Sequence, residues 1–165
     1  MAPPVQSEPT GLPAGYIEMQ VATVAAVPGE GAALLLVDAA KEIALPVFIG
    51  GTEALSIDYR MRREKFRRPL THDLLDSVLE RLDAKLVRVQ VDALRDGTFH
   101  GSVFIRDARG RVMRLDARPS DAIALAIGNR VPIYVARAVL DEAGIKPDEL
   151  RKQMNQGPPP LTSQR

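Results

Sequence analysis

The sequence predicts an α+β domain with a mostly antiparallel sheet, in which three strands followed by a helix occur twice. The first observation is an ungapped alignment of residues 34–57 with residues 102–125, at a constant offset of 68 residues. The second is a residue pattern shared by two helix starts. Residues 52–54 (Thr-Glu-Ala) and 120–122 (Ser-Asp-Ala) each place a hydroxyl residue and an acid before an apolar helix. Two strand meanders that each end in a helix indicate an internal duplication packed into one core.

Composition and the chain ends set the predicted domain limits. The chain has 165 residues, a net charge of +1 and no cysteine, which excludes disulfides and thiolate chemistry. Both ends are rich in proline and poor in apolar side chains, a composition typical of disorder. We expect a disordered leader at 1–15, a folded domain at 16–145, and a short helix with a disordered tail at 146–165.

The sequence carries no targeting or membrane signal. The N-terminus lacks the basic and apolar regions of a signal peptide. No apolar run approaches the ~20 residues of a membrane span. The absence of cysteine is compatible with a reducing cytosol, so we expect a cytoplasmic protein without membrane contact.

The first repeat unit consists of three predicted strands and a helix. Residues 16–27 alternate weakly and predict a strand, 32–37 form a short apolar run, and 43–49 predict a third strand. Two glycines end that strand. Thr52 is expected to cap a helix that extends to about Met61.

A basic segment, defined here as residues 60–68, follows this helix. Its six cations face a single acid and are Arg60, Arg62, Arg63, Lys65, Arg67 and Arg68. Such a run can neutralise several phosphates of a nucleic acid, which makes binding strongly salt-dependent. The alternative is a solvated connector, because charge runs usually lie on solvated surfaces.

An amphipathic helix is predicted over 71–82, with Thr71 as its cap. Its apolar side chains share one face and are Leu74, Leu75, Val78, Leu79 and Leu82. Further strands are predicted at 85–94, 98–106, 111–117 and 131–135. A helix that begins near Ser120 is expected to be buried, because residues 122–127 are all Ala, Ile or Leu.

The entrance to this buried helix concentrates charged residues that suit phosphodiester chemistry. Pro119 biases Arg118 toward an extended backbone, and Asp121 lies in the first turn of the helix. Asp116 and Asp121 flank the turn and, with water, would suit Mg²⁺ or Mn²⁺. Glu53 is the equivalent of Asp121 in the first unit. The alternative is that acids in first turns only stabilise their helices, by roughly 0.3–1 kcal/mol.

Arg118 and His72 complete the candidate site. The guanidinium of Arg118 can bind a phosphate, or it can pair with Asp116 or Asp121. His72 is a candidate general base, since histidine is the usual one, and the alternative is a solvent-exposed residue in a first helical turn. His100 lies in a predicted strand without nearby acids and carries little weight.

Four motifs make the chain resemble the bifunctional nuclease domain family. They are THDLL at 71–75, DGTFHG at 96–101, DARPSDAIALA at 116–126 and VLDEAGI at 139–145. The resemblance covers residues 16–145 and is most specific in RPSDAIALA together with the upstream LTHDLL. It implies degradation of both RNA and DNA, as described for plant members. It supplies no agreed catalytic residues, so the site residues rest on side-chain chemistry.

The sequence therefore predicts a nuclease that hydrolyses RNA or DNA with the help of a divalent metal. Asp116 and Asp121 are the predicted metal ligands and catalytic residues, and Glu53 or His72 assists them. Arg118 and the basic segment are the predicted nucleic-acid contacts. Two alternatives stay open: a non-catalytic module that binds nucleic acid or protein, with or without assembly into a homo-oligomer, and a stress protein that binds a small molecule or metal.

Overall fold

The computed structural model describes residues 11–29 and 31–155, so the predicted disorder of 1–10 and 156–165 lies outside the described residues. The strands are β1 (Tyr16–Val27), β2 (Gly31–Asp38), β3 (Ala44–Ile49), β4 (Lys85–Arg95), β5 (Thr98–Arg106), β6 (Val112–Ala117) and β7 (Ile133–Ala136). The helices are α1 (Gly51–Arg62), α2 (Thr71–Arg81), α3 (Pro119–Asn129), α4 (Arg137–Ala143) and α5 (Pro147–Asn155). None of these helices is both long and apolar enough to cross a membrane.

All seven of these strands form one sheet, in the order β3-β2-β1-β7-β4-β5-β6. Every neighbouring pair is antiparallel except β4 and β7, which are parallel. The strand β7 lies at the centre and joins two meanders, β1 to β3 on one side and β4 to β6 on the other. The prediction of an α+β fold with a mostly antiparallel sheet is confirmed.

Each meander leads directly into a helix, β3 into α1 and β6 into α3. Corresponding elements of the two halves begin 67 to 69 residues apart in the sequence. The two helices pack against each other, α1 over β1 and β2, and α3 over β4 and β5. The order of three strands and a helix therefore occurs twice, whereas the origin of both halves from one duplicated unit stays a prediction.

The helix α3 forms the centre of the hydrophobic core. Its side chains from Ala122 to Ala126 are at most 3% exposed. They pack on Val89 and Val91 of β4 and on Val103 of β5, which are also buried. The prediction that this apolar helix is buried is confirmed, and its N-terminal end is held in a defined position by the packing.

The helices α1, α2 and α3 begin one or two residues earlier than predicted. Their N-cap residues are Gly50, Leu70 and Arg118, and the hydroxyl residues Thr52, Thr71 and Ser120 lie inside the helices. In α3 this follows from Pro119, which has no N–H and suits the first helical position. In α2 the Asp73 carboxylate accepts the Leu70 N–H at 2.8 Å. The prediction of hydroxyl caps is therefore wrong.

The predicted apolar face of α2 is only partly buried. Leu79 is buried, whereas Leu74, Leu75, Val78 and Leu82 are 40–65% exposed. The inward face instead holds His72 and Leu79, which are seven residues apart and lie on one side of the helix. This orientation brings His72 toward α3.

Candidate active site

A small pocket lies where the N-terminal ends of α1, α2 and α3 meet. Its cavity is about 140 Å³, and its lining comes from the first two turns of α1, the first turns of α2 and α3, and the residues before α2 and α3. The lining residues are Thr52, Glu53, Leu55, Ser56, Leu70, Thr71, His72, Arg118 and Asp121. Helix N-termini present unpaired N–H groups and the positive end of the helix dipole, so their convergence favours an anionic group.

The Asp121 carboxylate is the centre of the hydrogen-bond network in this pocket. Its Oδ1 lies 3.0 Å from His72 Nε2 and 3.1 Å from Arg118 Nη2, and its Oδ2 accepts from Arg118 Nε at 2.7 Å. Burial raises the pKa of this carboxyl, but the hydrogen bonds from Arg118 and His72 outweigh burial and lower the pKa below its usual value. Asp121 is therefore ionised at neutral pH and suited to hold a cation.

Arg118 connects the two halves of the fold. Its Nη2 donates to Glu53 Oε1 at 2.7 Å in α1, while its Nε donates to Asp121 in α3. Hydrogen bonds to Asp121 and Glu53 raise the pKa of Arg118, so it stays charged. The Arg118 side chain is 66% exposed, and neither carboxylate uses its Nη1. The Nη1 donors are therefore left for a ligand.

His72 is held at both ring nitrogens. Its Nε2 faces Asp121, and its Nδ1 lies 2.8 Å from the hydroxyl of Ser56. A neutral imidazole that faces a carboxylate with Nε2 carries its proton there, so Nδ1 accepts the Ser56 O–H. The His72 side chain is only 10% exposed. The alternative of a solvent-exposed first-turn histidine is therefore wrong, and His72 holds Asp121 in place.

Ser56 is the polar residue of this pocket that the sequence does not indicate. It is 3% exposed and follows Glu53 by three residues in α1. That spacing places both side chains on the same face of the helix. The spacing alone is a weak signal, because it becomes informative only once α2 is known to pack against this face.

Asp116 lies outside the pocket. It is exposed on β6, opposite Ser102 of β5, and it is not among the residues that line the cavity. The backbone between Asp116 and Asp121 passes from a strand through Pro119 into a helix, so closeness in sequence does not bring the two carboxylates together. The second carboxylate beside Asp121 in this pocket is Glu53.

The basic segment lies at the opposite end of α1 from the pocket. Glu53 and Arg62 are nine residues apart in one helix, which separates them by roughly 14 Å along the axis. The ring of Phe66 contacts Tyr59 edge-on, with centroids 5.4 Å apart, and so holds the segment against α1. The exposed cations are Arg62, Arg63, Lys65, Arg67 and Arg68. The segment can therefore contact an extended ligand but does not line the cavity.

Arg60 differs from the other cations of the basic segment because its side chain is 7% exposed. Its Nη2 lies 2.9 Å from Asp73 and 2.8 Å from Asp76, and its Nη1 donates to the Ala124 carbonyl at 3.2 Å. Gly128 leaves the space for this guanidinium, since a Cβ there would overlap it. Arg60 joins α1 to α2 and α3, and this placement withdraws it from the surface that a phosphate can reach.

The pocket offers two carboxylates for a divalent cation. In the described part of the chain, no three His, Asp or Glu side chains are arranged to hold a metal. Mg²⁺, however, often binds through one or two carboxylates and completes its shell with water and phosphate oxygens. Glu53 and Asp121 provide such a pair. Arg118 offsets only one of their two charges, so the chemistry of the donor set fits a divalent cation.

Comparison with known proteins identifies the family. Residues 34–148 match the family model of the bifunctional nuclease domain. This matched range is more than half of the chain and includes every pocket residue. The chain belongs to this family. An uncharacterized protein of Mycobacterium tuberculosis is 39% identical over 117 residues, which are 70% of this chain and 69% of that protein.

The named relatives are more distant. Bifunctional nuclease 1 of Oryza sativa is 22% identical over 117 residues, which are 70% of this chain but 35% of the rice protein. The bifunctional nuclease of Oryza minuta has the same identity and coverage. The family resemblance of the four sequence motifs is thus confirmed, and nucleases are named among the relatives.

Proposed function

We propose that this protein is a nuclease that hydrolyses phosphodiester bonds of RNA or DNA in the pocket formed by α1, α2 and α3. The observation that carries the proposal is the Arg118 guanidinium, which bridges Asp121 and Glu53 at the convergence of three helix N-termini. Membership of the bifunctional nuclease domain family and the names of the rice relatives support nucleic acid as the substrate.

Arg118 binds the phosphate in this proposal. Its exposed guanidinium has Nη1 donors that neither carboxylate uses, and charged guanidinium N–H groups form strong hydrogen bonds with phosphate oxygens. The helix N-termini around the cavity add partial positive charge at the same place. Together they stabilise negative charge that develops on the phosphoryl oxygens during hydrolysis.

Glu53 and Asp121 would hold Mg²⁺ or Mn²⁺, which would supply positive charge and activate water. His72 is a positioning residue, because its Nε2 holds the Asp121 carboxylate at 3.0 Å while Ser56 fixes the ring from the other side. In this proposal Glu53 is the second metal-binding carboxylate, and Asp116 takes no part in the reaction.

The basic segment would hold the nucleic-acid backbone away from the reaction centre. Its exposed cations begin at Arg62, roughly 14 Å from Glu53 along α1. Phosphates of one B-DNA strand follow each other every ~3.4 Å along the helix axis. A strand with its scissile phosphate at Arg118 would therefore reach the segment about four phosphates away. Binding by the segment makes affinity salt-dependent without placing its cations in the cavity.

Cleavage of labelled single-stranded and double-stranded RNA and DNA tests this function, with Mg²⁺, Mn²⁺ or a chelator present. Wild type is compared with Arg118→Gln and with the matched control Arg109→Gln, which changes an exposed arginine in the β5–β6 turn. We expect Arg118→Gln to lower the rate roughly 100-fold or more, because it removes a charge-stabilising donor. Equal cleavage by wild type and Arg118→Gln would contradict the proposal.

The exposed basic segment also favours a second function, binding of nucleic acid without cleavage. It lies outside the cavity and needs no pocket chemistry to contact phosphates. The same experiment separates the two functions. A protein that binds the substrates with strong salt dependence but leaves them intact under every metal condition would be a binding module.

A further inference from the structure

The strand β6 is the last of the sheet, and its outer edge pairs with no other strand of the described chain. It pairs with β5 over six consecutive residues without a register shift. A regular edge strand without proline presents a row of unpaired N–H and C=O groups to which another strand can bind. The outer edge of β6 is therefore open to strand addition.

The opposite edge of the sheet, β3, is protected. Pro46 lies in the middle of β3 and has no N–H to donate. Ala44 exchanges two backbone hydrogen bonds with Ile145, both at 2.8 Å. Neither form of protection occurs in β6, so the two edges of one sheet differ in their capacity to bind a further strand.

The strand β6 also exposes apolar side chains on the face of the sheet that elsewhere forms the core. Met113 lies opposite Ile105, and Leu115 lies opposite Val103, in the β5–β6 pairing. Met113 and Leu115 are nevertheless 43% and 48% exposed, because α3 packs over β4 and β5 rather than β6. Apolar side chains on an open edge are suited to burial by a partner strand.

We propose that two copies of this chain pair antiparallel along β6, about a two-fold axis at Leu115. An axis perpendicular to the sheet keeps the corresponding faces of both sheets on the same side. Each Leu115 then lies opposite its own equivalent, and Met113 lies opposite Ala117. Directly opposed apolar side chains shield one another from water, and the two sheets continue into one.

The charges of β6 favour this register over the neighbouring ones. Arg114 and Asp116 lie on the other face of the strand, and the axis at Leu115 places each Arg114 opposite the Asp116 of the second copy. An axis at Arg114 or at Asp116 would instead oppose two like charges, which destabilises a strand pair. Asp116 is exposed, and the Arg114 side chain is 61% exposed beside Asp92, so both remain accessible to a partner. The sequence of β6 is thus complementary to itself.

Sedimentation of the purified chain tests the proposal, with Leu115→Lys and the matched control Leu74→Lys. Wild type is expected to sediment as a dimer, at twice the chain mass of 18.0 kDa. Leu115→Lys places two like charges opposite each other on the axis and is expected to weaken self-association by roughly tenfold or more. Leu74 is 62% exposed on α2, away from β6, so its substitution is expected to leave the dimer intact.

Exchange of charges between two variants tests the register. Asp116→Lys and Arg114→Glu each oppose like charges when paired with themselves, so each variant alone is expected to associate more weakly than wild type. A mixture of the two restores opposite charges at both positions and is expected to form the mixed dimer. A monomeric wild type, a dimer that Leu115→Lys does not weaken, or a mixture that associates no better than either variant would overturn the proposal.

Discussion

Replacement of Gly128 by alanine adds one methyl group at the place where Arg60 packs against α3. A Cβ at Gly128 would overlap Arg60 Nη1 and lie 2.9 Å from Cζ. The guanidinium must then move, although its side chain is buried and held by Asp73, Asp76 and the Ala124 carbonyl. The substitution therefore tests whether this buried arginine joins the three helices.

The expected cost is about 2 kcal/mol in the free energy of unfolding. Hydrogen bonds to charged groups contribute about 1.5–3 kcal/mol each. The Asp73 and Asp76 side chains are 43% and 29% exposed, so solvent weakens both ion pairs, and we take about 3 kcal/mol for the whole network. Alanine recovers about 0.5–1 kcal/mol because its helix propensity exceeds that of glycine.

Urea denaturation and thermal melting, both followed by circular dichroism, measure this change. A loss of 2 kcal/mol is expected to lower the melting temperature by roughly 4–8 °C for a chain of this size. Gly51→Ala in α1 is the matched control, because a Cβ there meets no atom within 4 Å. It should be as stable as wild type or more stable by up to about 1 kcal/mol, the helix-propensity gain of alanine over glycine. In an Arg60→Met background, Gly128→Ala should no longer destabilise. Stabilisation by Gly128→Ala alone, as at an ordinary helical glycine, would refute the packing argument.

Three further predictions concern the pocket and the basic segment. Asp121→Asn should be less stable than wild type at neutral pH, because the fold lowers the pKa of Asp121 and the ionised carboxylate is the stabilising form. The difference in the free energy of unfolding should shrink as pH falls below 3.8. Urea denaturation across this pH range measures the difference, and a constant difference would contradict a lowered pKa of Asp121. Ser56→Ala removes the buried partner of the pocket histidine and should cost about 1–2 kcal/mol in urea denaturation; an unchanged midpoint would show that the contact contributes nothing. Joint replacement of Arg62, Arg63 and Arg67 by alanine should weaken nucleic-acid binding and reduce its salt dependence; binding titrations at several salt concentrations measure this, and an unchanged slope would remove the segment from the interface.

The repeated order of elements could be predicted because the turns and helix starts recur at one offset in the sequence. The place of β7 could not, because its partners β1 and β4 are remote in sequence and a short apolar strand does not specify its neighbours. The helices begin one or two residues before the predicted caps, since Pro119 suits the first position of α3 and the Asp73 side chain accepts the Leu70 N–H at the start of α2.

The chemistry of the pocket could be predicted in part. The residue types at Asp121, His72 and Arg118 suggested a site, and the fold brings them into contact. Glu53 joins them through the packing of α1 against α3, which depends on tertiary contacts. The run of charges at 60–68 does not show that Arg60 is buried, because the space for its guanidinium comes from Gly128 in α3, which is remote from Arg60 in the sequence.

Cleavage of the same RNA and DNA substrates by Asp121→Asn and Asp116→Asn decides the role of the pocket. Both variants make the same chemical change in carboxylates of one short stretch, and only Asp121 lines the cavity. We expect Asp121→Asn to lose roughly 100-fold or more in rate, while Asp116→Asn keeps the wild-type rate. A wild-type rate in Asp121→Asn, or loss of activity in Asp116→Asn alone, would place the reaction outside the pocket.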